Sequence, residues 1–272
     1  MGGNPDFFYR EAQRLGYVAR SAFKVSPPLS RFLLLVSLSE YLRLNSVQIK
    51  RIISENCAQF PLKSDWEFQL IQMQKQYKII SPGGSVLDLG CAPGAWLQVA
   101  CQNLGPLEKG GAVVGIDTTK VKVPPQHCDS RVKTVCGDVM KLPREQVRAL
   151  SPKQKGFSVI LSDMCPLVSG ITSRDAALSV ELGMRALDLS VGTAAAVNNA
   201  PQEADSDSSG AALDTGRLLK PGGHLIIKLL ESEDIKEFNQ TCKPLFRKAS
   251  WLRPKATRSC SREIYLICQG LL

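Results

Sequence analysis

The stretch Asp88-Leu89-Gly90-Cys91-Ala92-Pro93-Gly94-Ala95-Trp96 ends an apolar β-type run, makes a glycine turn and opens a helical pattern. That arrangement puts a ligand crevice at the carboxyl edge of an α/β sheet. Its spacing excludes two common phosphate binders. A Gly-x-Gly-x-x-Gly turn needs glycine where Ala92 stands, and no Gly-Lys-Ser/Thr follows, so neither a pyrophosphate nor a triphosphate has its usual cradle. A strand with a glycine turn is by itself generic; the acids around this one are not. Asp88, just before the turn, suits a ligand's amino group. Asp117 ends the next β-type run, where a carboxylate accepts both hydroxyls of a ribose, and Asp138 follows the third, where it can accept from an exocyclic adenine amine. An amino acid, a ribose and an adenine describe S-adenosylmethionine better than a nucleotide phosphate.

The elements that must position these residues alternate in type from Ser85 onward, which predicts a mostly parallel sheet with helices on both faces. Strands are expected at 85–89, 112–117, 132–136, 157–163 and 224–229, with two more near 248–252 and 263–268. Helices are expected at 94–102, 174–190 and 233–242. In the second of these, Ala177, Val180, Met184 and Leu187 recur at helical spacing and should face the sheet. Lys220-Pro221-Gly222-Gly223 reads as a turn that launches the fifth strand. Thr193 to Gly210 is polar and low in complexity, a surface loop rather than an element.

Five ordered blocks carry a resemblance. They are Tyr17-Val18-Ala19-Arg20-Ser21-Ala22-Phe23-Lys24, the glycine turn above, Ser162-Asp163-Met164-Cys165-Pro166, Gly222-Gly223 through Lys228, and Ser259-Cys260-Ser261-Arg262-Glu263-Ile264-Tyr265. Together they resemble the motif set of the FtsJ/RrmJ family of RNA ribose 2′-O-methyltransferases, over residues 6–24 and 70–272 apart from the polar loop. The resemblance implies a Rossmann-like methyltransferase fold with a seven-stranded sheet, S-adenosylmethionine as methyl donor and no metal. It implies a catalytic tetrad of Lys24, Asp163, Lys228 and Glu263, and cofactor positions at Gly94, Trp96, Asp117, Asp138 and Asp163. Cys91 and Cys165 stand where the family commonly has small residues, a mild departure.

The tetrad's residue types suit the reaction in their own right. A ribose 2′-hydroxyl is a very weak acid, so its attack on a sulfonium methyl needs a proton acceptor and in-line alignment. Lys228 can accept that proton if it is neutral when substrate arrives; burial and Lys24 push its pKa down, while Asp163 pushes it up and orients it. Glu263 would position a lysine or the target hydroxyl. Taken singly, each has a plainer reading: a snorkelling strand-end lysine, a turn-opening aspartate, an edge-strand glutamate, one more solvated lysine. Four such coincidences in the family's order are what favour catalysis.

Charge points the same way. Lys plus Arg (34) exceeds Asp plus Glu (25), for a net charge of +9, which favours a polyanionic partner. Between Lys243 and Arg262 lie Arg247, Lys248, Arg253, Lys255 and Arg258 with no acid among them, interleaved with Phe246 and Trp251, a phosphate-tracking stripe with stacking platforms. Arg10, Arg14 and Arg20 extend it at the other end. The 9 cysteines include no Cys-x-x-Cys pair, and His127 and His224 have no zinc-like spacing, so reduced thiols and no metal are expected. The longest apolar run, near Phe32 to Val36, is too short to span a bilayer.

One segment breaks the family pattern. Residues 25–69 intervene between Phe23-Lys24 and Leu70, and removing them restores it. Valine codons begin with GT and one glutamine codon is CAG, so the ends at Val25 and Gln69 match intron donor and acceptor signals. The segment is expected to be a retained intron or a partner-binding insertion within a single methyltransferase domain, and in either case it adjoins Lys24. A compact chain of this kind resembles the bacterial and organellar ribosomal RNA branch. That implies a monomer modifying a large-subunit ribosomal RNA, at a uridine, free or in the pre-ribosomal subunit, in a mitochondrion or plastid or else the cytoplasm. A transfer RNA substrate, a non-catalytic ribosome-assembly factor and a small-molecule methyltransferase are the alternatives.

Overall fold

The computed structural model describes residues 69–192, 216–254 and 261–272. Lys24, Arg10, Arg14, Arg20, Lys255, Arg258, the polar loop and all of the 25–69 segment except Gln69 lie outside the described residues.

Seven strands form one sheet in the order β3-β2-β1-β4-β5-β7-β6. They are β1 (Ser85–Leu89), β2 (Ala112–Asp117), β3 (Val132–Cys136), β4 (Phe157–Ser162), β5 (Leu219–Leu230), β6 (Phe246–Leu252) and β7 (Glu263–Leu271). The first five pair in parallel; β7 runs antiparallel between β5 and β6. Near-continuous runs of Val, Ile and Leu suit strands covered on both faces. Helices α1 (Gln69–Tyr77) and α2 (Ala95–Asn103) cover one face, where Met73, Leu97 and Ala100 join a core with Val86, Val113, Val159 and Ile226. The other face carries α4 (Thr172–Val191) and α5 (Ile235–Cys242), with α3 (Arg144–Ala149) beside them; there Leu187, Leu189 and Phe238 pack with Leu87, Ile160 and Ile227. No described helix is long and apolar enough to cross a membrane, and no metal-holding group of side chains occurs among the described residues.

Two expectations need correction. The residues of α4 that face the sheet are Ala176, Ser179, Gly183, Ala186, Leu187 and Ser190, while Ala177 and Met184 are exposed. Small side chains let this helix lie close on β5. A Cβ at Gly183 would sit 2.8 Å from a methyl of Leu229, and the Ser179 hydroxyl accepts the Leu230 N–H at 2.9 Å. Lys220 to Gly223 does turn, with Gly222 at φ +75°, but within β5 rather than ahead of it: Phe157 pairs with Leu219 and Val159 with His224, so the extra residues bulge and pairing resumes.

The topology fixes where a ligand goes. Strand order reverses around β1 and β4, whose carboxyl ends open the crevice typical of such sheets. Because β7 is antiparallel, its amino end, beginning at Glu263, lies at that same edge.

Candidate active site

A cavity of about 440 Å³ opens at this reversal point. Its floor is the turn at Gly90 and Ala92; Asp117 and Asp138 stand on one side, Asp163, Cys165 and Lys228 on the other. The floor must be glycine: at φ +79°, a Cβ on Gly90 would lie 2.9 Å from the Met164 nitrogen. Asp117 braces the turn, accepting the Ala92 N–H at 2.9 Å through one oxygen and the Thr119 N–H at 2.8 Å through the other. Asp138 accepts the Met140 N–H at 3.0 Å. A carboxylate has about four lone-pair sites, so both acids keep acceptor capacity toward the cavity.

The opposite wall is built from strand ends in register. Asp163 follows β4, its N–H bonded to the Leu89 carbonyl of β1 at 3.0 Å. Lys228 on β5 sits directly across from Tyr265 on β7. Both reach one atom: Asp163 Oδ1 lies 2.9 Å from Lys228 Nζ and accepts the Tyr265 hydroxyl at 3.1 Å. Lys228 is only 8% exposed, so it is no snorkelling surface lysine. Burial pulls its pKa down, but the Asp163 carboxylate, with Glu263 adding, pushes it up and prevails, so the ammonium is the resting form. The Cys165 thiol, raised by burial, carries no charge at neutral pH and leaves that effect to the two acids. The condition that Lys228 be neutral is therefore not met by the described residues alone. Tyr265, buried and pushed well up, stays a phenol that can only donate to Asp163.

Of the expected catalytic residues, Asp163 and Lys228 come together, Glu263 stands two residues from Tyr265 at the start of β7, and Lys24 lies outside the described residues. Of the expected cofactor residues, Asp117, Asp138 and Asp163 line the cavity; Asp88, Gly94 and Trp96 do not. Asp88 is wholly buried in β1, and neither carboxyl oxygen has a partner among the described residues. Burial, reinforced by Asp163 and Asp117, pushes its pKa well up, and it lies beneath the turn, out of the cavity lining. The Trp96 ring is buried against Tyr265, centroids 5.9 Å apart. Gly94 opens α2 at φ +114° with no side-chain cap, and the helix's first bond runs from the Gln98 N–H to the Gly94 carbonyl.

Tyr265 is the residue that sequence reasoning missed. The signal was there: two residues after Glu263 on one strand, it shares Glu263's face.

The basic stripe is only partly free. Arg247 and Lys248 are exposed on edge strand β6, whereas Arg253 pairs with Glu231 at 2.7 Å. Phe246 is buried and offers no stacking platform; Trp251 is half-buried.

A family model for FtsJ-like methyltransferases matches residues 67–271. The chain belongs to the FtsJ-like methyltransferase family. Among relatives of this FtsJ-like methyltransferase are proteins named ribosomal RNA large subunit methyltransferase E. That of Desulfatibacillum aliphaticivorans is 35% identical over 77% of this chain and 84% of its own, and that of Desulfosudis oleivorans 32% over 76% and 83%. A Plasmodium falciparum structure described as a ribosomal RNA methyltransferase superposes with TM-score 0.54 at 21% identity, covering 75% of this chain and 96% of that one, a likeness of fold.

Proposed function

We propose that this FtsJ-like methyltransferase moves a methyl group from S-adenosylmethionine to a ribose 2′-hydroxyl of large-subunit ribosomal RNA. The buried Lys228–Asp163 pair, set where strand order reverses and facing two strand-end acids across one cavity, carries the reading. The names of the relatives support the RNA class.

The cavity's donor set fits S-adenosylmethionine. Asp117 has lone pairs left for ribose hydroxyls and Asp138 for an adenine amine. When bound, the cofactor supplies an electrophilic methyl group on a sulfonium. Asp163 fixes Lys228 Nζ in place and Tyr265 fixes Asp163. For Lys228 Nζ to take the 2′-hydroxyl proton it must first lose its own, and a cation brought alongside, Lys24 included, favours that loss. Glu263 holds the edge at which the hydroxyl enters.

The test is transfer of labelled methyl from S-adenosylmethionine to unmodified ribosomal RNA, with and without residues 25–69. Label that makes the adjoining phosphodiester resist alkali identifies a 2′-oxygen and supports the reading. Label on a base, label on transfer RNA alone, or binding without transfer by either chain contradicts it. Transfer only by the shorter chain marks residues 25–69 as inhibitory.

A further inference from the structure

A second cavity, of about 630 Å³, lies just past the reaction centre. Ile264, one of its walls, pairs with Leu229, the residue after Lys228, and so faces the opposite side of the sheet from Lys228 and Tyr265. Glu231, another wall, is three residues beyond Lys228, about 10 Å along the strand at roughly 3.3 Å per residue.

The lining has an unusual chemistry for a basic protein. Trp251 is half-buried, packing on the core while it lines the cavity with Ile235 and Ile264. The two carboxylates in the wall are each held by a cation, Glu231 by Arg253 at 2.7 Å and Glu233 by Lys236 at 2.8 Å, so they present little net negative charge to a polyanion. The Ser232 hydroxyl oxygen is buried in the same wall with no hydrogen-bond partner among the described residues. A hydroxyl both donates and accepts, and leaving one unsatisfied is costly, so this group is suited to a ligand edge.

We propose that this cavity binds an unpaired base of the RNA, next to the nucleotide whose ribose is methylated, stacked on Trp251 with its edge on Ser232. The proposal rests on the RNA reading above and adds a subsite to it. The occupant must be flat and apolar on its faces to use Trp251, hydrogen-bonding at its rim to satisfy Ser232, and joined to a polyanion to benefit from the exposed Arg247 and Lys248 on the same strand as Trp251. A nucleobase meets all three conditions.

The experiment measures methyl transfer to unmodified large-subunit ribosomal RNA by the full chain and by Trp251→Ala, Trp251→Phe and Ser232→Ala, at low and high salt. Binding of a short mixed-sequence single-stranded RNA is followed by tryptophan fluorescence. Trp251→Ala should raise the KM for RNA about tenfold, within the range of losing one base stack. Trp251→Phe should raise it less, because a ring remains, and Ser232→Ala a few-fold, with the KM for S-adenosylmethionine unmoved. The tenfold factor should persist at high salt, where phosphate contacts weaken. RNA should quench the fluorescence of the full chain, and Trp251→Phe should remove most of that quenching, which decides the matter even if Trp251→Ala fails to fold. Transfer by the full chain with an unchanged KM for RNA and unchanged quenching in Trp251→Phe would overturn the subsite and leave the function standing. If neither the full chain nor the chain lacking residues 25–69 bound or methylated RNA, both would be overturned.

Discussion

The two sides of the carboxyl edge are built differently. On the β2–β3 side, Asp117 and Asp138 are partly open to solvent and are tied to backbone N–H groups two residues along, and Asp117 also to one in the facing turn. On the β4–β5–β7 side, Asp163, Lys228 and Tyr265 come from three strands and converge on one oxygen atom, largely out of water. A wall of solvated acids can hold a polar ligand with modest reorganisation. A buried ion pair is costly to build and strongly perturbs its members, which is why it belongs where a proton must move. In the function proposed above, the first side binds the cofactor and the second carries the chemistry.

Substitutions can break that division, and the largest effect is expected at Lys228. Lys228→Ala should lower kcat for methyl transfer by about 10²- to 10⁴-fold, the range for losing a general base, with cofactor binding close to that of the unmodified chain. Single-turnover transfer alongside equilibrium binding measures both. Asp117→Ala removes an acceptor from the ligand and the brace from the Ala92 turn. It should raise the KM for S-adenosylmethionine by about 10- to 100-fold, as expected for hydrogen bonds to a charged group, with a much smaller change in kcat at saturation.

Tyr265→Phe is subtler. Losing one hydroxyl donor to Asp163 should cost roughly three- to tenfold in kcat and leave both KM values near their starting points. It should also change the pH profile. The reactive form of Lys228 is the neutral amine and its pKa is raised, so kcat should climb with pH into the alkaline range. Without the tyrosine's hydrogen bond, more of Asp163's charge acts on Lys228, and the profile of Tyr265→Phe should move further alkaline. An unmoved profile would remove Tyr265 from the proton pathway. The smallest change in rate is expected from Gly183→Ala. The added Cβ meets a flexible Leu229 methyl at 2.8 Å and the edge of the Phe238 ring at 3.3 Å, so it should destabilise the fold by about 1–3 kcal/mol in denaturant unfolding and leave cofactor affinity unmoved.

The binding side was legible in the sequence and the chemical side only in part. Strands β2 and β3 fall where they were expected because short β-branched runs bounded by breakers are local signals, and Asp117 and Asp138 are fixed by where those strands end. Lys228 and Asp163 could be named from ordered motifs, but their partnership with Tyr265 depends on the antiparallel register of β5 and β7, which no short window contains. Burial was the second gap. Asp88 and Trp96 lie within motif blocks yet point into the packed interior, and Phe246 sits under the edge strand instead of on it. Leu187 and Val180 of α4 pack on the core as expected, but Ala176, Ser179 and Gly183 escaped because Ala, Ser and Gly mark a close helix–sheet approach, whereas a count of large apolar residues looks for the opposite. The bulge in β5 was visible as Pro-Gly-Gly, but whether a strand stops or resumes after such a turn depends on its neighbour.

The central claim, that binding and proton transfer are divided between the two sides, is tested most directly by measuring S-adenosylmethionine affinity and saturated single-turnover methyl transfer to ribosomal RNA in Lys228→Ala and Asp117→Ala side by side. The account predicts that Lys228→Ala binds normally and scarcely transfers, while Asp117→Ala binds weakly and, once saturated, transfers at nearly the full rate. If both substitutions moved the same quantity, affinity or rate, by comparable factors, the division would be contradicted.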